Sequence, residues 1–178
     1  MRRKLVIWMF EHSQRIYTRF FKRKHIPWGI STEMLLAYPS NSFGYHLGDF
    51  LNRNGFELIS KVERHDAYHV LTQFGTEVED EIALQFLCMG NGKKSMYMYG
   101  AIILGALILP EFYKYYQLSY HIGKEANTFH QFEYKHLLKL DYDFFRSAIF
   151  SKEIEAIQHT KLQELKQSYK TVPALNTI

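Results

Sequence analysis

Two histidines one helical turn apart, with an aspartate between them, are the residues of this sequence best placed to do chemistry. His65, Asp66 and His69 lie in the stretch RHDAYHVLTQFGTEVEDEIALQ, in which several acidic residues follow. On a helix, side chains four residues apart face the same way, and Asp66 lies about 60° from His69 around the axis at roughly 100° per residue. Converging imidazole and carboxylate groups are ligands that zinc and similar divalent ions take in proteins.

A short turn is predicted to bring another carboxylate to the same level. Gly75 fits a C-cap role that ends the first helix, and Thr76 with Glu79 forms a capping-box pattern that begins the next. His69 is six residues before Gly75, and Glu81 is six residues after it. Positions equidistant from the turn lie level in an antiparallel hairpin, so Glu81 is predicted to face the histidines. The spacing alone leaves open a metal site or a solvated polar face.

Two classes of metal-dependent hydrolase offer rival interpretations. Asp66 stands where an HExxH zinc protease has its catalytic glutamate, but aspartate reaches less far and no typical third-ligand signature follows. A helical phosphohydrolase with a His-Asp dyad needs another upstream histidine and a distal aspartate. His46 and either Asp141 or Asp143 are available for that role. Neither position lies in a recognisable motif.

The composition predicts that helices position these residues. The chain has 178 residues, of which 47% are hydrophobic and 22% charged, so residues 1–178 are expected to form one globular domain. Leu, Ile, Met and Glu recur at helical spacing, and the chain has only 4 Pro. We therefore predict an all-α, single-domain multi-helix bundle with the metal site on a helical hairpin. The single cysteine, Cys88, excludes an internal disulfide and a multi-cysteine zinc site.

Glycine and proline residues, which end or interrupt helices, set the predicted helix boundaries. Gly55 is expected to end a helix near residues 43–52, and Pro110 is expected to break a long apolar helix that follows the tight connection at 90–94. Helices are further predicted at residues 2–23, 57–74, 111–122, 131–139 and 151–169. Residues 171–178 are predicted to be a flexible tail.

The net charge of +4 is concentrated at the amino terminus. Residues 1–24 hold eight Lys or Arg and one acidic residue, so this segment carries +7 and the remaining chain −3. With its apolar face, the segment is predicted to be a basic amphipathic helix that contacts an anionic membrane surface, or one that packs on the body or on a partner in a homodimer. No nucleic-acid motif accompanies the basic residues, and nucleic acid is not expected as a partner.

The motif His65-Asp66-x-x-His69, followed after eleven residues by Glu81, resembles the HDxxH zinc signature of the coenzyme Q (ubiquinone) biosynthesis family. The segment YPSNSFGYHLGDFL is similar to the family's Pro-x-x-x-Phe-Gly segment. An apolar helix, a tyrosine-rich helix and GKEANTFHQFEYKHLLKLDYDFFRSAI then follow in the family's order. The resemblance covers roughly residues 35–150 and does not include the basic N-terminal helix.

This resemblance implies a helical fold and a divalent metal, zinc in particular, held by His65, Asp66, His69 and Glu81. It also implies a hydrophobic site for a polyprenyl lipid or quinone precursor, and decarboxylation at ring C1 coupled to hydroxylation. A non-catalytic scaffold for quinone-biosynthesis enzymes is the alternative. We expect a cytoplasmic protein, peripheral on the inner face of the membrane.

The apolar segment Met96–Leu109 could form the site for a lipid tail. It has 14 residues and no charge, fewer than the roughly 20 residues that span a bilayer. A segment of this composition is usually a buried core helix, but Gly100 and Gly105 would leave room beside it for an isoprenoid chain. Tyrosines near one face of the next helix could contact an aromatic ring and its oxygens, or simply pack. These tyrosines are Tyr113, Tyr116 and Tyr120.

Overall fold

The computed structural model describes residues 27–58 and 63–171, and the regular elements within these ranges are helical, as predicted. The chain divides into two compact units. Within the described ranges, the histidine unit comprises residues 27–58, 63–76 and 131–149, and the tyrosine unit comprises residues 77–130 and 150–171. The predictions for the basic helix at residues 1–24 and for the tail after residue 171 lie outside the described residues.

Most of the predicted helices are present, with different boundaries. In chain order, the described α-helices are α1 (Thr32–Leu36), α2 (Phe43–Asn54), α3 (Glu63–Thr72), α4 (Val78–Gly90), α5 (Met96–Ile108), α6 (Tyr113–Glu125), α7 (Tyr142–Ile149), α8 (Lys152–Ile157) and α9 (Gln163–Thr171). A π-helical segment, Gln158–Leu162, joins α8 to α9. The helix predicted at 131–139 is only a short 3-10 helix, Tyr134–Leu137. Neither α1 nor α7 was predicted.

Serine and glycine residues set several of these helix ends. The Ser31 hydroxyl accepts a hydrogen bond from the Met34 N–H (3.3 Å), and Ser42 accepts one from Tyr45 N–H (3.2 Å). These side chains satisfy N–H groups that have no partner within the first helical turn. Gly55 ends α2 in the left-handed conformation at φ 65°, which confirms its predicted C-cap role.

The carboxyl end of α3, the helix that carries the histidines, is held by side chains of α7. The Tyr142 hydroxyl donates to the Val70 carbonyl (2.9 Å), and the buried Arg146 guanidinium donates to the Leu71 carbonyl. A positive charge at this end also complements the helix dipole. Gln73 then turns the chain at φ 58°, so the cap role predicted for Gly75 was wrong. The helix ends earlier because α7 already supplies partners for its last carbonyls.

In the tyrosine unit, two glycines allow α4 and α6 to pack backbone against backbone. A Cβ atom on Gly123 would lie 2.0 Å from the Leu87 carbonyl oxygen, and one on Gly90 would lie 2.1 Å from the Tyr120 carbonyl oxygen. Asn91 then fastens the end of α4, because its amide donates to the Gly123 carbonyl (3.1 Å). The packing therefore fixes α4 along its second half.

The apolar helix α5 is buried on one face only, so its interpretation as a core helix was wrong. Ile102 is buried, whereas Met96 is 80% and Leu107 is 72% exposed. Gly105 lets α5 approach α4, since a Cβ atom there would lie 2.5 Å from Cγ1 of Ile82. The room expected beside Gly105 is thus filled by Ile82.

A buried ion pair fixes the amino end of α4. The Asp80 carboxylate, with no exposed surface, accepts a hydrogen bond from the Tyr115 hydroxyl (2.8 Å) and pairs with the Lys166 ammonium. Lys166 Nζ also lies 3.5 Å from a Glu77 oxygen. Burial, and then the Asp80 charge, raises the pKa of Tyr115 above its usual range, which keeps this donor protonated. Glu77 is the N-cap residue of α4 and makes no side-chain cap bond, so the capping box predicted for Thr76 was wrong.

The glycine contact between α4 and α6 can be tested by adding a single methyl group. Gly123→Ala should lower the free energy of unfolding by about 3 kcal/mol, the upper end of the usual cost of overpacking, because the methyl collides with a backbone carbonyl that cannot move alone. The matched control is Gly100→Ala on α5, where a Cβ meets nothing within 4 Å. It should gain about 0.5–1 kcal/mol from the better helix propensity of alanine. Equal urea midpoints for the two variants would contradict the close packing.

The buried ion pair can be tested by removing its cation. Lys166→Met should lower the free energy of unfolding by about 3–5 kcal/mol, because Asp80 would remain buried without its countercharge. Adding Asp80→Asn to that variant should recover part of the loss. Lys161→Met, at an exposed position of the neighbouring π-helical segment, is the control and should change stability by less than about 0.5 kcal/mol. A Lys166→Met protein as stable as this control would argue against a structural ion pair.

Candidate metal centre

Helix α3 places its two histidines with their ring nitrogens facing each other. Nε2 of His65 and Nε2 of His69 are 3.1 Å apart, and the two rings are nearly perpendicular, at 89° with centroids 4.7 Å apart. The four-residue spacing on one helix face produces this convergence, as predicted from the sequence. Either a shared proton or a bound cation must lie between two such nitrogens, because two lone pairs alone would repel.

The contacts of His69 favour its use as a metal ligand. Its Nδ1 lies 3.2 Å from the Phe74 carbonyl oxygen, and because a carbonyl oxygen only accepts, this nitrogen carries the proton. In the neutral ring, Nε2 is then the unprotonated nitrogen, and it is the one that faces Nε2 of His65. Metal-binding histidines typically donate their other N–H to a carbonyl or carboxylate in this way. The ring is 3% exposed and stacks on Phe50, with centroids 5.6 Å apart, so its orientation is fixed.

Glu81 completes a group of three side chains that could hold a metal ion. His65 and His69 of the histidine unit and Glu81 of the tyrosine unit are a possible metal-binding set. Two imidazoles and a carboxylate are a donor set that suits zinc. Asp66, the fourth residue of the predicted set, is not a member of this group.

The position of Glu81 in its helix suits a ligand that must be ionised. It lies in the first turn of α4, together with Glu79 and Asp80. The partial positive charge at a helix amino terminus stabilises carboxylates there. Asp80 is occupied by Lys166 and Tyr115, and the buried Glu79 also has interactions, so neither carries a ligand role here.

The residues of the phosphohydrolase interpretation have structural roles. His46 stacks on Tyr142 with ring centroids 4.0 Å apart. Asp141 caps α7 by accepting from the Phe144 N–H (2.9 Å), and that bond, followed by one from the Asn41 amide, lowers the pKa of its carboxyl group. In the part of the chain that the structure describes, the group around His65 is the one set of three or more histidine, cysteine or acidic residues with metal-site spacing, and it does not include His46.

A pocket of about 400 Å³ lies within the tyrosine unit, on α4 and α6. It is lined by Phe86, Met89, Tyr113, Gln117, Tyr120 and His121. Two of the three tyrosines proposed from the sequence, Tyr113 and Tyr120, therefore face the same cavity. Tyr116 is buried, is not part of the lining, and stacks on Phe86 with ring centroids 5.2 Å apart. Gly100 and Gly105 are not part of the lining.

Part of this pocket could have been found from the sequence. Gln117 and His121 follow Tyr113 at four-residue intervals, and Tyr120 is seven residues after it, so these side chains share one side of α6. Phe86 and Met89 are three residues apart on α4 and likewise share a face. Their convergence with α6 depends on the glycine contact between the two helices, for which the sequence carries no local signal.

No single helix in residues 27–58 and 63–171 is long and apolar enough to cross a bilayer. Met96–Ile108 and Pro110–Glu125 meet the length and hydropathy requirement only as a pair, and they are bent by 105°.

Comparison with known proteins agrees with the helical architecture. The family described as coenzyme Q (ubiquinone) biosynthesis protein Coq4 matches residues 58–154. A candidate ubiquinone biosynthesis protein from Nostoc punctiforme has a crystal structure that aligns with a TM-score of 0.59, at 15% identity, over 85% of this chain and 82% of that chain. At this identity the similarity shows a shared fold. No curated protein matches the chain.

The family match includes the whole of α3 and α4, and with them the histidine pair and Glu81. Because it covers more than half of the sequence, this chain belongs to the Coq4 family of coenzyme Q (ubiquinone) biosynthesis proteins.

Proposed function

We propose that this chain is a metal-binding protein of ubiquinone biosynthesis that holds a polyprenylated ring at the membrane surface. The observation that carries the proposal is the histidine pair on α3, whose Nε2 atoms converge at 3.1 Å while His69 Nδ1 is occupied by the Phe74 carbonyl. A solvated polar face would leave both rings free to turn. Here one ring is buried and stacked, and its unprotonated nitrogen is aimed at its neighbour.

We propose His65, His69, Glu81 and Asp66 as ligands of one divalent ion, zinc by the chemistry of the donors. The convergence of the Nε2 atoms on α3 supports His65 and His69, and the sequence motif adds Asp66 and Glu81. A bound zinc ion would act as a Lewis acid that polarises an oxygen of a ring carboxylate. The contribution of the chain is to hold His69 in a single orientation, through the Phe74 carbonyl and the Phe50 ring, before any ligand arrives.

The pocket on α4 and α6 is the proposed site for a polyprenylated quinone precursor. Its aromatic walls suit an isoprenoid chain or a ring, and Tyr120, Gln117 and His121 offer polar groups for oxygen atoms. Its volume of about 400 Å³ lies within the range of small-molecule sites. The contact with Ile82 accounts for the glycine at position 105. We therefore propose that the pocket residues, and not Gly105, bind the lipid.

Catalysis of ring C1 decarboxylation coupled to hydroxylation is the proposed activity. The C1–carboxylate bond breaks and releases CO₂, and a C1–hydroxyl bond forms. This replacement removes two electrons from the ring, so an external oxidant such as O₂ must accept them, because zinc does not change its oxidation state. A non-catalytic scaffold that presents the lipid to partner enzymes is the second candidate, and the exposed apolar face of α5 favours it, because such faces bind other molecules. A metal with all four protein ligands and no bound water would favour the scaffold, whereas an open coordination position would favour the enzyme. In either case we propose that the protein is peripheral to a membrane.

The metal proposal predicts that His69→Ala loses the ion. Purified wild-type protein should carry about one divalent ion per chain, and removing a buried, oriented imidazole should abolish binding at micromolar metal. His159→Ala, at an exposed position of the π-helical segment, is the matched control and should keep the metal. Elemental analysis and zinc titration provide the measurement. Equal metal content in the two variants, or a wild-type protein without metal affinity, would count against the site.

The pocket proposal predicts that binding of a prenylated ring increases with tail length. Each buried CH₂ contributes about 0.8 kcal/mol, so 4-hydroxybenzoates with geranyl, farnesyl and geranylgeranyl tails should bind with rising affinity. Gln117→Trp should fill the cavity and remove that dependence while metal content is unchanged. Gln163→Trp, on the exposed surface of α9, is the control and should bind as wild type. The same tail-length series in both variants would place the ligand elsewhere.

A further inference from the structure

Helix α5 presents an apolar stripe to the outside of the tyrosine unit. Met96, Ile103 and Leu107 are 80%, 59% and 72% exposed, and their spacing of seven and four residues places them on one side of the helix. Tyr99 and Leu104, at 37% and 44% exposed, flank the stripe. The opposite side is buried against α4 through Gly105 and its neighbours. So many large apolar side chains on one exposed face indicate a surface that binds something.

The chemistry around the stripe favours a lipid bilayer over a protein partner. No charged side chain occurs between Lys94 and Glu111, so the stripe has no polar border of its own. Protein interfaces usually carry about one hydrogen bond per 100–200 Å², whereas this stripe offers only the Tyr99 hydroxyl. Lys93 and Lys94 precede α5, whereas Glu111 and Lys114, which follow it, carry opposite charges, so the net positive charge lies at the amino end of the helix. The two lysines at that end complement anionic lipid headgroups.

The length of α5 determines how it would meet the bilayer. Its 13 residues extend about 20 Å at 1.5 Å per residue, which is less than the roughly 30 Å hydrocarbon core. The chain then turns by 105° into α6. A helix this short, apolar on one face and anchored on the other, lies in the plane of the interface with the exposed side chains in the acyl region.

Tyr113 connects this surface to the pocket. It is the first residue of α6, its side chain is 54% exposed, and its ring lines the 400 Å³ cavity. We infer that the exposed stripe of α5, formed by Met96, Ile103 and Leu107, is a bilayer-contact surface that places the mouth of this pocket against the acyl chains. A prenylated ligand would then pass from the membrane to the protein without crossing water. The surface is independent of the metal, and only the role of the pocket rests on the proposed function.

The test uses the full-length chain and sedimentation with vesicles of phosphatidylcholine, either alone or mixed equally with phosphatidylglycerol. Ile103→Glu and Leu107→Glu should each weaken partition into both vesicle types by roughly tenfold or more, since each removes one apolar side chain from the acyl region. Lys93→Gln with Lys94→Gln should weaken binding only to the anionic vesicles. High salt should abolish that difference.

Phe144→Glu is the matched control, because Phe144 is 67% exposed but lies on α7 of the histidine unit. It should bind vesicles as wild type, and all variants should keep wild-type helicity and metal content. Vesicle binding unchanged in Ile103→Glu and Leu107→Glu would overturn the inference. So would a lower oligomeric mass of these variants in lipid-free buffer with unchanged vesicle binding, which would assign the stripe to a second copy of the chain. If the purified wild-type protein holds no metal but the variants still show the predicted changes in vesicle binding, only the metal proposal is contradicted.

Discussion

The hydrogen bond from His69 Nδ1 to the Phe74 carbonyl is the interaction on which the candidate metal centre depends. It fixes the tautomer of the ring, and the stacked Phe50 fixes its plane, so the Nε2 lone pair has one direction. His65 can then meet it at 3.1 Å. Without that bond the ring could turn about its side-chain dihedral angles. The affinity for a metal would then be lower, because binding would also have to order the ring.

Each helix that carries proposed ligands is held by contacts within its own unit. Tyr142 and Arg146 fasten the carboxyl end of α3, where the histidine unit also buries His69. In the tyrosine unit, Lys166 and Asp80 fasten the amino end of α4, next to Glu81, and the glycine contact with α6 fixes its other end. Buried ion pairs contribute little net stability, but they penalise alternative arrangements that would break them. Within each unit, the side chains proposed as ligands are therefore expected to be held in place before a metal binds.

The sequence correctly predicted which residues share a helix face, because this depends on local periodicity. It did not predict helix ends or burial that depend on contacts with residues far along the chain. Helical spacing was enough to place His65 and His69 on one face and to align Tyr113 with Tyr120. The helix ends around the turn were wrong, because Tyr142 and Arg146, some seventy residues away, satisfy the carbonyls of α3 and leave Gln73 in the left-handed position. Composition alone suggested that α5 was core. Whether a helix face is buried depends on which other elements pack against it, and the sequence of α5 alone does not contain that information.

X-ray absorption fine structure at the zinc edge of the purified, zinc-loaded protein tests the metal centre most directly. If the proposed centre forms, zinc should be bound by nitrogen and oxygen at about 2.0–2.2 Å, with outer-shell scattering from two imidazole rings and with no sulfur. In His65→Ala protein the imidazole contribution should halve or the metal should be lost. A spectrum of oxygen ligands alone, a sulfur shell from Cys88, or an imidazole count that the His65 substitution leaves unchanged would contradict the proposed centre.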